Sequence, residues 1–283
     1  MKISSALIKA RSKLNSSGVE NSKLDSLILL SHAISASKEH LIFNPDLELN
    51  PSQQKSFFEL IERRSKREPV SHLIQKREFF GEDFLVNCNV LDPRPDSESL
   101  IELVLKNFPD KNQKLKFLEI GTGSGCLIIS LLKLYKSAEA FGVDISKDAL
   151  EICQKNSEIH QVENRLTLKN SDLFSEISPK EKFDLIISNP PYIPSEDIKS
   201  LEPEVRIYEP IIALDGGIDG LDFYRKISSQ APNFLAKNGK IIFEIGFEQE
   251  VEVIKICSQN SLEFLGQNLD LSGTVRSLCF MQK

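Results

Sequence analysis

Apolar residues follow two different patterns along the chain. Up to about residue 75 they recur at helical spacing, as do Ile3, Leu7, Ala10 and Leu14, which predicts a bundle of amphipathic helices. From residue 116 onward, short apolar runs alternate with helical stretches, which is typical of a parallel sheet with helices on both faces. Five runs are predicted to form this sheet: 116–120, 139–144, 165–169, 183–188 and 239–245. Two further runs, 262–268 and 276–282, predict an antiparallel hairpin at its edge.

A shorter pattern connects the two parts. Two apolar runs flank Gly81, which predicts a β-hairpin. We therefore divide the chain into a small helical domain at 1–75, a hairpin linker at 76–92 and an α/β domain at 93–283.

The α/β domain begins with an arginine between two prolines. Pro93 and Pro95 hold Arg94 in an extended conformation. A helix is predicted to follow, with Asp96 or Ser97 as its N-terminal cap. A plain helix start does not require a charged residue fixed in this way, so Arg94 is a candidate for a functional role.

Composition and charge narrow the class of protein. Of 283 residues, 40% are hydrophobic, which is ordinary for a soluble protein with a sizeable core. Residues 1–76 hold 12 basic and 8 acidic side chains, a net charge of +4, whereas the remainder holds 23 and 33, a net charge of −10. An acidic larger domain is a poor match for a nucleic-acid backbone.

Other composition features exclude several sites. The five cysteines and four histidines are scattered without metal-ligand or redox spacing, so we expect no metal site. The N-terminus lacks the apolar core of a signal peptide, and no apolar run is long enough to span a membrane. We therefore expect a soluble, cytoplasmic protein that is a monomer.

A glycine-rich turn follows the first predicted strand. Its residues are Gly121, Thr122, Gly123, Ser124 and Gly125. Glycines allow a sharp turn close to a ligand, and the helix that follows offers free backbone N–H groups. Taken alone the turn is weak evidence, because many such matches are simple tight turns, and the following residue is a cysteine where the dinucleotide fingerprint needs glycine or alanine.

Three acidic residues near strand ends indicate which ligand this turn receives. Glu119 is suited to a ligand ammonium group, and Asp144 ends the second strand, where a carboxylate can bind ribose hydroxyls. After the third strand, Asp172 can accept a hydrogen bond from an adenine amine while Leu173 packs on its face. A ribose, an adenine and an amino-acid tail without phosphates describe S-adenosylmethionine, which is the predicted cofactor.

The fourth strand ends in a stiff turn. Asn189 is followed by Pro190, Pro191 and Tyr192, so the turn presents one amide side chain, one ring and carbonyls without neighbouring N–H groups. On its own, such a turn is most simply a strand end with a packed tyrosine. Ligands in open α/β sheets lie at the carboxyl ends of the strands where the strand order reverses, so Asn189 is predicted to face the methyl group of the cofactor.

These motifs resemble one family over the whole length of the chain. The chain is similar to class I methyltransferases dependent on S-adenosylmethionine, and more narrowly to the HemK/PrmC glutamine methyltransferases that act on peptide chain release factors. Leu173 departs from the family pattern, which commonly has an aromatic residue there, and the match at 270–276 is loose. The matching segments are 68–73, 77–79, 93–98, 121–125, 189–192, 204–206, 208–210, 213–217, 219–221 and 244–246.

The resemblance implies a fold and an activity. The fold is a Rossmann-like class I methyltransferase fold, a mostly parallel seven-stranded sheet with an antiparallel edge hairpin, beside a helical domain that helps to dock the substrate protein. The activity is methyl transfer to the side-chain amide nitrogen of the glutamine in the Gly-Gly-Gln loop of release factors, a step in translation termination.

The catalytic hypothesis assigns roles to a small set of residues. Asn189 and the carbonyl of Pro190 accept the two amide N–H bonds of the substrate, because positioning and electrostatics are the available means of activating an amide. Tyr192 and Phe79 are predicted to enclose the amide. Arg94 and Glu98 are predicted to support the pocket, and Pro191 contributes to its wall.

Other functions remain open at this stage. A ribosomal-protein glutamine methyltransferase would share nearly all these motifs. A nucleic-acid enzyme that methylates exocyclic amines would use the same turn on a flipped base, although the charge of −10 disfavours it. A nicotinamide dehydrogenase is disfavoured by Cys126, and a binding module by the intact glycines, Asp144 and Asn189.

Overall fold

The computed structural model describes residues 1–283 and contains eleven α-helices and nine β-strands. The helices are α1 (Ile3–Ser16), α2 (Ser22–Ile34), α3 (Lys38–Phe43), α4 (Pro51–Ser65), α5 (Val70–Ile74), α6 (Glu98–Asn107), α7 (Cys126–Leu134), α8 (Lys147–Ile159), α9 (Pro203–Tyr208), α10 (Asp222–Gln230) and α11 (Glu250–Gln259). The strands are β1 (Arg77–Phe79), β2 (Glu82–Phe84), β3 (Lys116–Ile120), β4 (Glu139–Asp144), β5 (Leu166–Asn170), β6 (Phe183–Ser188), β7 (Leu235–Glu244), β8 (Leu262–Leu269) and β9 (Val275–Gln282).

The smaller of two compact units contains α1 to α5 and a segment from much later in the chain. It comprises Met1–Lys76 together with Glu202–Tyr208. Apolar faces of the helices pack into one core that includes fully buried Ile3, Leu14 and Phe57. The helix α4 begins at Pro51 as the sequence indicates, because Asn50 and Gln53 cap each other's backbone N–H groups in a capping box.

Buried ion pairs hold the late segment in this unit. Arg64 is 7% exposed and pairs with Asp25 at 2.8 Å and with Glu204 at 2.9 Å. Arg67 also pairs with Glu204, at 2.6 Å. Two arginines at the end of α4, Arg64 and Arg67, therefore serve contacts within this unit.

The larger unit is built on a seven-stranded sheet in the order β5-β4-β3-β6-β7-β9-β8. β3 to β7 are parallel, and β9 pairs antiparallel with both β7 and β8. β3 and β6 lie at the centre and are almost fully buried on both faces, which explains their continuous apolar runs. The fold class predicted from the sequence is confirmed.

Strand boundaries agree closely with the predictions, with one larger difference. β7 begins at Leu235, four residues before the predicted start at 239. The first residues of β7 do not continue its apolar pattern, because the pairing of β7 with β6 shifts register between Phe183 and Leu185. A bulge of this kind adds residues to a strand without adding to its apolar repeat.

The two units divide the chain differently from the predicted domains. The β1–β2 hairpin belongs to the larger unit rather than forming a separate linker. Phe79 and Phe84 meet edge to face in its core, with ring centroids 6.3 Å apart. A distinct docking role for the helical part remains a prediction. No helix combines the length and apolar character needed to cross a bilayer, and the five cysteines are free.

Candidate active site

A cavity of about 320 Å³ lies at the carboxyl ends of the central parallel strands. The strand order reverses between β3 and β6, since β4 and β5 lie on one side and β7 on the other. This is the topological switch point at which open α/β sheets bind ligands. The predicted site residues that line the cavity are Arg94, Glu119, Gly121, Thr122, Gly123, Ser124, Asp144, Asp172, Leu173, Asn189, Pro190 and Pro191.

The glycine turn connects β3 to α7 and has the backbone that its composition suggests. Gly121, Gly123 and Gly125 all have positive φ, at +73°, +53° and +80°. A Cβ at Gly121 or Gly123 would meet no atom within 4 Å, so the space beside these two cavity-lining glycines is free for a ligand. Gly125 has the opposite role. A Cβ there would lie 2.5 Å from Cys153 Sγ, so this glycine permits close packing of α7 on α8.

Asp144 connects the glycine turn to the loop after β4. One carboxylate oxygen accepts a hydrogen bond from the Gly123 N–H and the other from the Ser146 N–H, both at 2.9 Å. Burial raises the pKa of Asp144, while these backbone N–H groups oppose the rise. Each oxygen retains a lone pair, and that is the arrangement needed to accept a hydrogen bond from a ribose hydroxyl.

Glu119 is almost completely buried at the end of β3. It is 2% exposed and accepts a hydrogen bond from the Thr122 hydroxyl. Burial raises the pKa of Glu119 to about 8, and Asp144 adds to the rise. A cationic group in the cavity would offset this desolvation, so the carboxyl suits an ammonium better than a phosphate.

Asp172 and Leu173 lie after β5. Asp172 is exposed at the cavity, and Leu173 is partly buried. Leu173 adopts φ of +51°, which is uncommon for a non-glycine residue. Its carbonyl accepts a hydrogen bond from the Ser171 hydroxyl, which holds the loop in this conformation.

The turn after β6 is fixed at its start. The Ser188 hydroxyl bonds the Ile120 carbonyl at 2.8 Å, which joins the ends of β6 and β3. Asn189 donates from Nδ2 to the Ser97 hydroxyl at 3.1 Å. Neither Asn189 Oδ1 nor the Pro190 carbonyl accepts a hydrogen bond within the protein. The turn therefore presents two unused acceptors in a cavity-lining segment.

Tyr192 lies behind the turn rather than in the cavity lining. Its hydroxyl donates to Glu244 Oε1 at 3.3 Å, and its carbonyl accepts from Gln249 Nε2 at 3.0 Å. These two contacts hold the shape of the turn. That the Tyr192 ring encloses the substrate amide remains a prediction.

Two of the tentative pocket residues also lie elsewhere. Phe79 is 1% exposed in the hydrophobic core, so it does not enclose an amide in the cavity. Glu98 does not line the cavity, and its carboxylate accepts a hydrogen bond from the Phe80 N–H at 2.9 Å. The prediction for Phe79 is contradicted because the hairpin that carries it packs into the core instead of covering the site. The supporting role of Glu98 remains a prediction.

Arg94 does line the cavity, and its partner comes from a distant motif. Its guanidinium donates to Glu209 Oε1 at 2.5 Å and lies 4.0 Å from Asp92. Burial raises the pKa of Glu209, and Arg94 opposes that rise. This ion pair joins the Pro-Arg-Pro segment at 93–95 to Glu209.

A glycine-rich loop supports the Asn189 turn from behind. A Cβ at Gly216 would lie 2.8 Å from the Tyr192 Cα, and one at Gly220 would lie 2.3 Å from the Tyr192 carbonyl oxygen. The two segments also share backbone hydrogen bonds, from Ile193 to Leu214 and from Gly216 to Ile193. Only glycine permits this close approach.

Sequence reasoning assigned no role to several residues that shape the site. Gln249 bridges the Tyr192 carbonyl and the Gly246 N–H. Asn156 is fully buried in α8 and bonds the Ser124 carbonyl as well as both backbone groups of Leu85. The one available signal for Asn156 was its polar side chain on the apolar face of α8. The sequence feature that could have indicated a role for Glu244 was a carboxylate at the end of an apolar strand.

The fold and the site define a class I methyltransferase that uses S-adenosylmethionine. Residues 5–74 match the model described as PrmC N-terminal domain, and residues 95–202 match the model described as Methyltransferase small domain. A methyltransferase from Pyrococcus furiosus has the same fold, with a TM-score of 0.54 and 16% identity, covering 78% of this chain and 98% of that one. The open glycine turn, the buried Glu119 and Asp144 fit the cofactor.

Sequence relatives identify the family more closely. The release factor glutamine methyltransferase of Clostridium acetobutylicum is 42% identical over 257 residues, which cover 90% of each chain. That of Geobacter sulfurreducens is 42% identical over 249 residues, covering 88% of this chain and 86% of the relative. The chain belongs to the release factor glutamine methyltransferase family.

Proposed function

We propose that this protein methylates the side-chain amide nitrogen of the glutamine in the Gly-Gly-Gln loop of peptide chain release factors. Its membership of the family supports the substrate class. The observation that carries the chemistry is the pair of unused acceptors at the turn after β6. Asn189 Oδ1 and the Pro190 carbonyl have no partner within the protein, and both residues line the cavity.

A primary amide presents two N–H donors on one planar nitrogen, which matches two adjacent acceptors. S-adenosylmethionine, when bound, supplies an electrophilic methyl group on a sulfonium sulfur. The amide nitrogen is a weak nucleophile because its lone pair is delocalised into the carbonyl. Asn189 and Pro190 would orient this nitrogen and increase its electron density by accepting both N–H bonds.

No side chain is assigned as a general base. The pKa of an amide N–H lies far above that of any carboxylate, imidazole or phenol in the chain. Positioning in a cavity of low water content is therefore the proposed source of catalysis, and Arg94 with Glu209 would hold the wall beside it. Glu119, Asp144, Asp172 and Leu173 would bind the ammonium, ribose and adenine of the cofactor, and the glycine turn would approach it closely.

The partner and location are proposed from the substrate. The larger part of the chain has a net charge of −10, from 23 basic and 33 acidic residues after residue 76. That charge favours a protein substrate over a nucleic acid. Release factors act on ribosomes, so we propose that the protein works in the cytoplasm, and that it acts as a monomer.

The test is methylation of a purified release factor, followed by mass spectrometry of its loop peptide. We expect one added methyl group on the loop glutamine, and none when that glutamine is replaced by alanine. Ribosomal protein, DNA and RNA serve as competing substrates. Methylation of one of these in place of the release factor would overturn the proposal.

Asn189→Ala tests the chemistry in the same assay. We expect turnover to fall by about 10²-fold or more, since an electrostatic acceptor aimed at the reacting group is removed. Cofactor affinity, measured by calorimetry, should stay within a few-fold. Asn112→Ala provides a matched control, because Asn112 is an exposed asparagine in the loop before β3 that does not line the cavity. Undiminished turnover in Asn189→Ala would contradict the mechanism.

A further inference from the structure

Ser97 lies in a buried position that its expected role does not explain. It ends a 3-10 turn, Pro95–Ser97, directly before α6. The sequence suggests a helix cap, but its side chain makes no capping hydrogen bond. The hydroxyl is instead the acceptor for Asn189 Nδ2 at 3.1 Å, and the residue is only 3% exposed.

The direction of this hydrogen bond sets the orientation of the amide. An amide NH₂ group only donates, whereas a serine hydroxyl can both donate and accept. With Nδ2 bonded to the Ser97 oxygen at 3.1 Å, Oδ1 occupies the other branch of the side chain, in a segment that lines the cavity.

The orientation matters because the two ends of an asparagine amide have the same shape and opposite polarity. With Oδ1 directed to the substrate, Asn189 accepts the glutamine N–H. After a half-turn of the amide, Nδ2 would face that N–H, donor against donor. The turn itself does not prevent this rotation, because Oδ1 has no other partner.

We propose that Ser97 is a positioning residue that holds the Asn189 amide with its oxygen toward the substrate. The inference rests on the proposed function of Asn189 as an acceptor for the glutamine amide. Ser97 does not touch the substrate in this scheme and acts through Asn189.

The kinetic test compares Ser97→Ala with two matched variants. We expect Ser97→Ala to lower kcat roughly 10- to 100-fold, with the KM for the release factor and the Kd for S-adenosylmethionine changed less than threefold. Ser97→Thr keeps the hydroxyl and should restore kcat to within a few-fold of the wild type. Ser99→Ala removes a hydroxyl that is also buried, at 4% exposed, but makes no hydrogen bond, and it should leave kcat unchanged.

Thermal unfolding shows whether Ser97→Ala is folded. Wild-type kcat in folded Ser97→Ala would overturn the proposal.

A readout without turnover separates this inference from the proposed function. In ¹⁵N spectra the Asn189 side-chain NH₂ signals are identified by their loss in Asn189→Ala. We expect them to exchange slowly with solvent in the wild type and in Ser99→Ala, and at least about tenfold faster in Ser97→Ala. Equal exchange rates would overturn the positioning role. Failure of the wild type to methylate a release factor would overturn the proposed function alone.

Discussion

Glu119→Gln is the substitution for which the structure makes the most quantitative prediction. The change keeps the size of the side chain and an oxygen that can accept from the Thr122 hydroxyl, but it removes the ionisable group. The Glu119 carboxyl is 2% exposed, and burial raises its pKa from 4.5 to about 8. At neutral pH the cofactor-free protein therefore holds this group mostly protonated.

The sign of the effect on stability follows from the raised pKa. The folded protein binds the proton more tightly than the unfolded chain, so the contribution is fully present below pH 4.5 and is lost as the pH rises to about 8. The rise of about 3.5 pKa units corresponds to at most about 5 kcal/mol. Glu119→Gln lacks this loss, so the difference in unfolding free energy between the variant and the wild type should grow from about pH 4.5 to about pH 8 and level off above that.

Cofactor binding should have the opposite dependence on the same group. A ligand ammonium is bound best by the ionised carboxylate, so the affinity of the wild type for S-adenosylmethionine should increase from pH 6 to pH 8, by up to tenfold per pH unit. Glu119→Gln should bind more weakly and without this dependence.

The assays are calorimetric titration with S-adenosylmethionine and urea unfolding without it, both across this pH range. Glu139→Gln is the control, since Glu139 is exposed at the opposite end of the neighbouring strand β4. Parallel pH profiles for the wild type and Glu119→Gln, in binding and in stability, would refute the reasoning.

Two further predictions concern packing and ion pairs. Gly125→Ala should lower the melting temperature by several degrees and weaken cofactor binding, because its Cβ would lie 2.5 Å from Cys153 Sγ and 2.9 Å from Ile129 Cδ1. Gly273 has a similar φ of +85°, and a Cβ there would meet no atom within 4 Å. Gly273→Ala therefore measures the backbone strain alone and should lower the melting temperature less. An equal decrease in both variants would contradict the steric explanation. Glu204→Gln should lower the unfolding free energy by about 1–3 kcal/mol in urea titrations, because it weakens charged hydrogen bonds to Arg64 and Arg67. Glu202→Gln, whose side chain is 73% exposed, should cost less than about 1 kcal/mol, and an equal cost for both variants would argue against the internal role of Glu204.

The sequence predicted the sheet well because its signal is local. β3 and β6 are short apolar runs with a turn at each end, so length and composition specify them without knowledge of their neighbours. The same holds for the glycine turn and for Asp144, which lie at positions set by a single βαβ unit. Alternation of strands and helices then determined the parallel sheet.

Side-chain roles were harder to predict because they depend on contacts between distant segments. Phe79 was expected near the substrate on the basis of resemblance, yet it contributes to the core beside Phe84. Its aromatic ring carries no information about which side of the hairpin is buried. Gln249 and Asn156 were missed because an amide that bonds a distant backbone looks the same in sequence as one that is exposed to solvent.

The proline-rich turn after β6 illustrates how much of a site lies outside its motif. Prolines stiffen the turn at 189–192, but four other segments determine its geometry. Ser97 accepts a hydrogen bond from the Asn189 amide, and Glu244 accepts one from the Tyr192 hydroxyl. Gln249 donates to the Tyr192 carbonyl, while Gly216 and Gly220 pack against the Tyr192 backbone. Each contact restricts a different motion. The contact with Ser97 restricts rotation of the amide, and the contact with Glu244 restricts the tyrosine ring. Gln249 restricts tilting of the peptide, and the two glycines restrict displacement of the backbone. Because an amide substrate offers little intrinsic reactivity, the reaction depends on orientation, and small errors in orientation are costly. A requirement for orientation explains why the turn is held by side chains as far away in sequence as Ser97, which is 92 residues from Asn189.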